Sequence, residues 1–141
     1  MKRIVSGAEA VALLTKLPKA KGRQRYTPGV MNKTEQAFAA ALELRKHRGE
    51  VAWFDFESWT FKLAKDLRYT PDFPVMDSDG LITCYDVKGR TVKDGVSGPY
   101  IKDGSLEKIK MAAKLNPMFR WVITWPLVGG MAWGVREVEG V

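Results

Sequence analysis

Apolar and polar positions along this chain follow two periods, one helical and one extended. From Asn32 to His47, Phe38 and Leu42 follow Glu35 at three and seven residues, which sets Glu35 on or beside a buried helical stripe. The run is rich in alanine, opens on a polar cap candidate at Asn32 or Thr34, and stops at Arg48-Gly49. Val51 to Phe56 and Trp59 to Leu63, crowded with aromatic and β-branched side chains, predict strands. Tyr69 to Met76 and Leu81 to Lys88 predict a hairpin about the turn sequence Asp77-Ser78-Asp79-Gly80. A loop containing Gly and Lys spans 89–104. A second amphipathic helix fills 105–115, with Leu106, Ile109 and Ala113 on one face and Pro117 past its end. Arg120 to Trp125 and Met131 to Val138 predict two more strands, joined across Pro126 and Gly129-Gly130. The order is α-β-β-β-α-β with one further strand allowed, an α/β class. The strand–helix–strand passage from 81 to 125 implies a crossover, hence a central mixed β-sheet flanked by helices.

The length of 141 residues suits one domain, and 45% apolar content with five tryptophans supplies a core. No stretch approaches the ~18 to 20 consecutive apolar residues of a membrane span. Glu9 follows soon after Lys2 and Arg3, which does not fit a signal peptide, so a cytoplasmic protein is expected. Cys84 is alone, so neither an internal disulfide nor a cysteine-held zinc is expected.

The net charge of +7 lies almost entirely at one end. Residues 1–33 hold eight Lys or Arg (Lys2, Arg3, Lys16, Lys19, Lys21, Arg23, Arg25, Lys33) against Glu9, whereas 34–141 carry fifteen of each sign. Residues 7–16 predict a short helix, and Pro18, Gly22, Pro28 and Gly29 then mark an extended linker. Residues 1–31 thus form a basic arm on a neutral domain at 32–141. Such an arm suits the gripping of phosphate backbones; a solubilising tail fits the charge equally well.

The chemistry concentrates in the hairpin. A turn centred on residues 78–79 pairs Asp72 with residue 85 or 86, and a slightly shifted turn sets it directly beside Asp86. Alternation along the strand puts Asp86 and Lys88 on one face. Two carboxylates beside an ammonium group repel one another unless a cation joins them, and hard oxygen ligands suit Mg²⁺ or Mn²⁺. Such an ion activates water for phosphodiester hydrolysis, and a lysine beside it positions the water or offsets developing charge. Glu35 offers a further carboxylate, although a capping box with Asn32 accounts for it equally well. Asp-x-Lys alone is a weak signal, and Pro71-Asp72 by itself is an ordinary entry to a strand.

Taken together, Glu35 on a capped helix, Pro71-Asp72, then Asp86-Val87-Lys88 followed by a basic helix resemble the PD-(D/E)XK nuclease superfamily over roughly residues 32–125. The resemblance implies a restriction-endonuclease-like core and a Mg²⁺-dependent endodeoxyribonuclease, with Mn²⁺ able to substitute. It implies Asp72, Asp86 and the Val87 carbonyl as metal ligands, Glu35 completing the site, and Lys88 assisting the attacking water. The stretches Tyr-Thr-Pro-Asp-Phe (69–73) and Asp-Val-Lys-Gly (86–89) look like small phage endonucleases of the T7 endonuclease I, Holliday-junction-resolving type. That likeness implies branched DNA as substrate, a homodimer, and a bacterial host cytoplasm as location. Asp86 stands where that type carries Glu, a shorter ligand. A duplex-cutting or nicking restriction or repair nuclease, and a DNA-binding module without cleavage, are the other readings. No small-molecule cofactor and no membrane partner are expected.

The DNA contacts expected are Lys19, Lys21, Arg23, Arg25 and Lys33 from the arm side. Arg90, Lys93 and Lys102 from the 89–104 loop join them, with Lys108 and Lys110 from the second helix. Lysines on a solvated helix face account for the last two without DNA. The tryptophans at 53, 59, 121, 125 and 133 are expected in the core rather than stacked on bases. His47, the one histidine, is expected at a helix end, which argues against a histidine-metal nuclease.

Overall fold

The computed structural model describes residues 27–129 and 131–140; the expected helix at 7–16 and Lys19, Lys21, Arg23 and Arg25 lie outside them. The first helix among the described residues, α1 (Lys33–His47), begins where the sequence placed it. Asn32 is its cap, in extended conformation, and accepts the Glu35 N–H at 2.8 Å while Glu35 Oε1 accepts the Asn32 N–H at 2.8 Å. This reciprocal box satisfies two of the free donors at the helix start. Arg45, Lys46 and His47 sit at the negative end of the helix dipole, and Gly49 ends it with φ 80°, a left-handed position that glycine adopts without strain. Asn32→Ala is expected to cost about 1 kcal/mol of stability in urea denaturation; an unchanged midpoint would show that the box contributes nothing.

Among the described residues, nine strands follow in chain order with one more helix. They are β1 (Val51–Phe54), β2 (Phe61–Ala64), β3 (Leu67–Tyr69), β4 (Phe73–Asp77), β5 (Ile82–Val87), β6 (Arg90–Lys93) and β7 (Val96–Pro99), then α2 (Ser105–Leu115), β8 (Arg120–Pro126) and β9 (Trp133–Glu137). Five of them make the main sheet in the order β1-β4-β5-β8-β9. β5 and β8 run parallel, joined through α2, and the other neighbours run antiparallel, so the sheet is mixed as expected.

Strand alternation divides the core into two layers. Phe73, Val75 and Val87 face α1 and pack with Phe38, Leu42, Val51 and Phe54. Cys84, Trp121 and Ile123 face the other way and pack with Ile109, Ala112 and Ala113 of α2. Each large apolar side chain buried this way contributes roughly 1.5–3 kcal/mol. Trp121 is buried, Trp133 packs on Phe38 with ring centroids 4.9 Å apart, and Trp53 stacks on Trp59 at 5.7 Å. These tryptophans serve packing. His47 is exposed at the helix end, 4.0 Å from Glu43.

The strands differ from the sequence reading in three places, each with a local cause. The segment expected as Trp59–Leu63 pairs with β3 and leaves the main sheet, because Lys65-Asp66 turns the chain, with Asp66 at φ 62°. Asp tolerates that left-handed conformation, so no glycine announced the turn. The loop expected at 89–104 instead carries the hairpin β6–β7, closed by Asp94 (φ 52°) and Gly95 (φ 76°). An Asp-Gly pair is among the strongest short hairpin signals. Thr70-Pro71-Asp72 also interrupts the strand expected from Tyr69 to Met76. No helix among the described residues is long and apolar enough to cross a membrane.

Candidate active site

The β4–β5 hairpin fixes the two aspartates. Phe73 pairs with Tyr85, Pro74 with Cys84 and Val75 with Thr83, so the same register carried one step further sets Asp72 opposite Asp86. The turn at Asp77–Gly80 fixes this alignment, with Gly80 N–H donating to Asp77 O at 2.9 Å and Asp77 N–H to Leu81 O at 2.8 Å. Asp72 is anchored across the pair by the Val87 N–H, which donates to Asp72 Oδ2 at 2.7 Å.

Above the strand ends lies a cleft of about 380 Å³ lined by Glu35, Asp72, Asp86, Val87, Lys88 and Lys102 among others. It brings together all four residues expected to be catalytic, and Val87 with them. Glu35 therefore both caps its helix and lines the cleft: one carboxylate oxygen takes the Asn32 N–H, and a second oxygen remains. The capping and site readings of Glu35 do not exclude each other.

Asp86 is buried and held on both sides. Tyr69 Oη donates to its Oδ2 at 2.6 Å, and Lys88 Nζ lies 2.9 Å from its Oδ1. Lys88 Nζ also donates to Ser105 Oγ at 2.8 Å. Among the described residues, Glu35, Glu57 and Asp72 bring carboxylate oxygens within 4.8 Å of one another. Asp86 shares the cleft but stands outside that trio.

Glu57 is a member that sequence reasoning missed. It follows β1 in a left-handed conformation at φ 49°, which turns the chain so that its N–H donates to Asp72 O at 2.8 Å. Its Oε2 accepts the Gly29 N–H at 2.9 Å. The turn at residues 27–30, the last part of the expected arm, is thereby tied to the acidic cluster, and Thr27 and Val30 line the cleft. No sequence signal marked Glu57. Tyr69 and Ser105 were equally silent, because a strand tyrosine and a helix-start serine are ordinary residues until the fold brings them to Asp86 and Lys88.

The electrostatics are those of crowded negative charge. Burial, then the neighbouring Asp86 and Glu35 charges, hold the Asp72 carboxyl well above the usual range against the lowering pull of the Val87 N–H. Burial likewise raises Glu35, partly offset by its hydrogen bond with Asn32. A hydrogen bond between the two carboxyl groups raises Asp72 further and pulls Glu35 down. Burial and then the Asp86 charge also push the Tyr69 phenol well up, so it stays a donor. Carboxylates this close need either a shared proton or a cation.

Among the basic residues expected at DNA, Lys102 lines the cleft. Lys33, Arg90, Lys93, Lys108 and Lys110 are exposed and stand outside its lining. Comparison with protein-family models, with curated proteins and with solved structures returned no match. The functional reading therefore stands on the geometry of this cleft.

Proposed function

We propose that this chain is a divalent-metal-dependent endodeoxyribonuclease with a restriction-endonuclease-like, PD-(D/E)XK core, acting on branched DNA. One observation carries the reading: Glu35, Asp72, Asp86 and Lys88 converge in a single cleft, where burial and the neighbouring acids raise the Asp72 carboxyl well above its usual range. The donor set fits a hard cation, since all the side-chain ligands are carboxylate oxygens, and the metal-ligand trio of Glu35, Glu57 and Asp72 spans under 4.8 Å. Asp72, Glu35 and Glu57 would hold Mg²⁺ or Mn²⁺, with Asp86 and the Val87 carbonyl at its side. A cation there supplies charge neutralisation at the phosphate and a water of lowered pKa.

The chain's own residues do the remaining work. Lys88, paired with Asp86, keeps an ammonium group beside the reacting phosphate, where it orients water and offsets charge. Lys102 at the cleft wall receives a flanking phosphate, and the exposed Arg90 and Lys93 extend the basic surface along the backbone. Branched DNA as substrate rests on the resemblance and on the basic arm.

The test compares nicking of linear duplex, a flap and a four-way junction in Mg²⁺ and in EDTA. Cleavage is expected in Mg²⁺ alone, fastest on the junction, and slower on the order of 10³-fold in Asp86→Ala, about 4 kcal/mol of transition-state stabilisation. Equal rates on all three substrates would move the reading to a general duplex nuclease. Binding without cleavage would leave a DNA-binding module.

A further inference from the structure

We propose that Tyr69 and Ser105 are positioning residues that brace the Asp86–Lys88 pair from opposite sides, a proposal that rests on the nuclease reading. Four side chains stand in a row from β3 to α2. Tyr69 Oη donates to Asp86 Oδ2 at 2.6 Å, Asp86 Oδ1 meets Lys88 Nζ at 2.9 Å, and Lys88 Nζ donates to Ser105 Oγ at 2.8 Å. The two ends come from elements outside the main sheet. Tyr69 ends the β2–β3 hairpin, and Ser105 is the first residue of α2.

The chemistry of each link explains what the brace achieves. Tyr69 is buried, its ring packed near Trp121 at 6.2 Å, so its hydroxyl has little rotational freedom. A hydroxyl-to-carboxylate bond of this length is charge-assisted and fixes the plane of the Asp86 carboxylate. Asp86 Oδ1 is then turned toward Lys88. At Lys88 the ammonium group has three N–H donors, of which Ser105 takes one while the ion pair with Asp86 Oδ1 fixes where the nitrogen sits. The remaining donors are left for a water or a phosphate oxygen, from a nitrogen held in place by these two partners. Partners of this kind, one step behind the ligands, tune cation affinity and placement.

The test uses the full chain and two readouts. Mn²⁺ affinity is measured by calorimetry without DNA, and kcat on the four-way junction in Mg²⁺. Tyr69→Phe keeps the ring and removes one hydroxyl, and is expected to weaken Mn²⁺ binding about 10- to 100-fold. In an Asp86→Ala background, where Glu35, Glu57 and Asp72 still hold the ion, the same change is expected to have no further effect. Ser105→Ala is expected to lower kcat roughly tenfold or more with Mn²⁺ affinity within about twofold, and Ser105→Thr to restore the rate.

Mn²⁺ affinity of Tyr69→Phe within about twofold of wild type would overturn the brace. An equal loss with Asp86 already removed would do the same, because Tyr69 would then act by general packing. Failure of Ser105→Thr to restore kcat would remove Ser105 from the proposal. A wild-type chain that neither binds Mn²⁺ nor cleaves DNA would take down the nuclease reading and the brace together. Binding and cleavage by wild type, with unaltered variants, would take down the brace alone.

Discussion

Asp72→Asn is expected to slow metal-dependent cleavage on the order of 10³-fold while making the cation-free protein more stable at pH 8 than the wild type. The two effects share one cause. Asp72 sits where burial and the charges of Asp86 and Glu35 raise its carboxyl well above the usual range. An acid whose folded pKa is raised stabilises the fold fully below its unfolded value, near ~3.9. That contribution is lost as the pH rises through the folded pKa, and Glu35, also raised, acts in the same direction. Asparagine removes the Asp72 titration. Its carbonyl still accepts the Val87 N–H, and its amide can donate to Glu35. In EDTA, the wild-type melting temperature should therefore fall between pH 5 and pH 8 by more than that of Asp72→Asn.

A cation reverses the comparison. At a concentration 100 times its dissociation constant, an ion that binds only the folded state adds about 2.7 kcal/mol, and the wild type alone should gain it in full. Thermal melts at pH 5 and pH 8, with Mn²⁺ or EDTA, check the stability claim, and junction cleavage checks the rate. A variant that melts below wild type at pH 8 in EDTA would mean that the crowding of Asp72, Asp86 and Glu35 is not costly. A cation would then have no crowded charge to relieve there.

What the sequence disclosed of this site follows from how each residue is placed. Asp72 and Asp86 were legible because Asp77-Ser78-Asp79-Gly80 sets a turn, and a turn sets a register. Lys88 followed from strand alternation alone. Asn32 and Glu35 were legible as a capping box, and the helix stripe also aimed Glu35 inward, so one spacing encoded two roles. Glu57, Tyr69 and Ser105 were not legible. Each reaches a cleft residue (Asp72, Asp86 or Lys88) through a long-range packing event, namely the left-handed turn after β1, the seating of β2–β3 beside Trp121, and the docking of α2. The β6–β7 hairpin was a different case. Asp94-Gly95 signalled it between Thr91-Val92-Lys93 and Val96, but the Gly and Lys content of the segment suggested a loop. For the arm, only residues 27–31 fall among the described residues, and the turn at 27–30 is tied to Glu57.

Phe73→Ala should be the most damaging single change to stability, at about 3–5 kcal/mol. Phe73 is fully buried, with ring centroids 5.5 Å from Phe38, 5.3 Å from Phe56 and 6.4 Å from Phe54, so its loss opens a cavity bordered by α1 and the end of β1. Rings fixed from three directions cannot close such a space without moving the backbone. Against a typical total of ~5–15 kcal/mol for a domain, the loss is large, and the melting temperature should fall by roughly 10–20 °C. Phe73→Leu, which keeps most of the volume, should lose far less. The change also reaches the chemistry. Phe73 is the last paired residue of β4 before Asp72, and the Asp72 carbonyl accepts the Glu57 N–H just beyond Phe56. A loosened ring cluster frees both acids, so Mn²⁺ affinity should fall at temperatures where the variant is still folded. Asp72→Asn is expected to raise cation-free stability and abolish function, whereas Phe73→Ala is expected to lower both. A Phe73→Ala chain that bound Mn²⁺ as tightly as wild type would show that the β4–β5 hairpin holds its acids without the aromatic layer behind them.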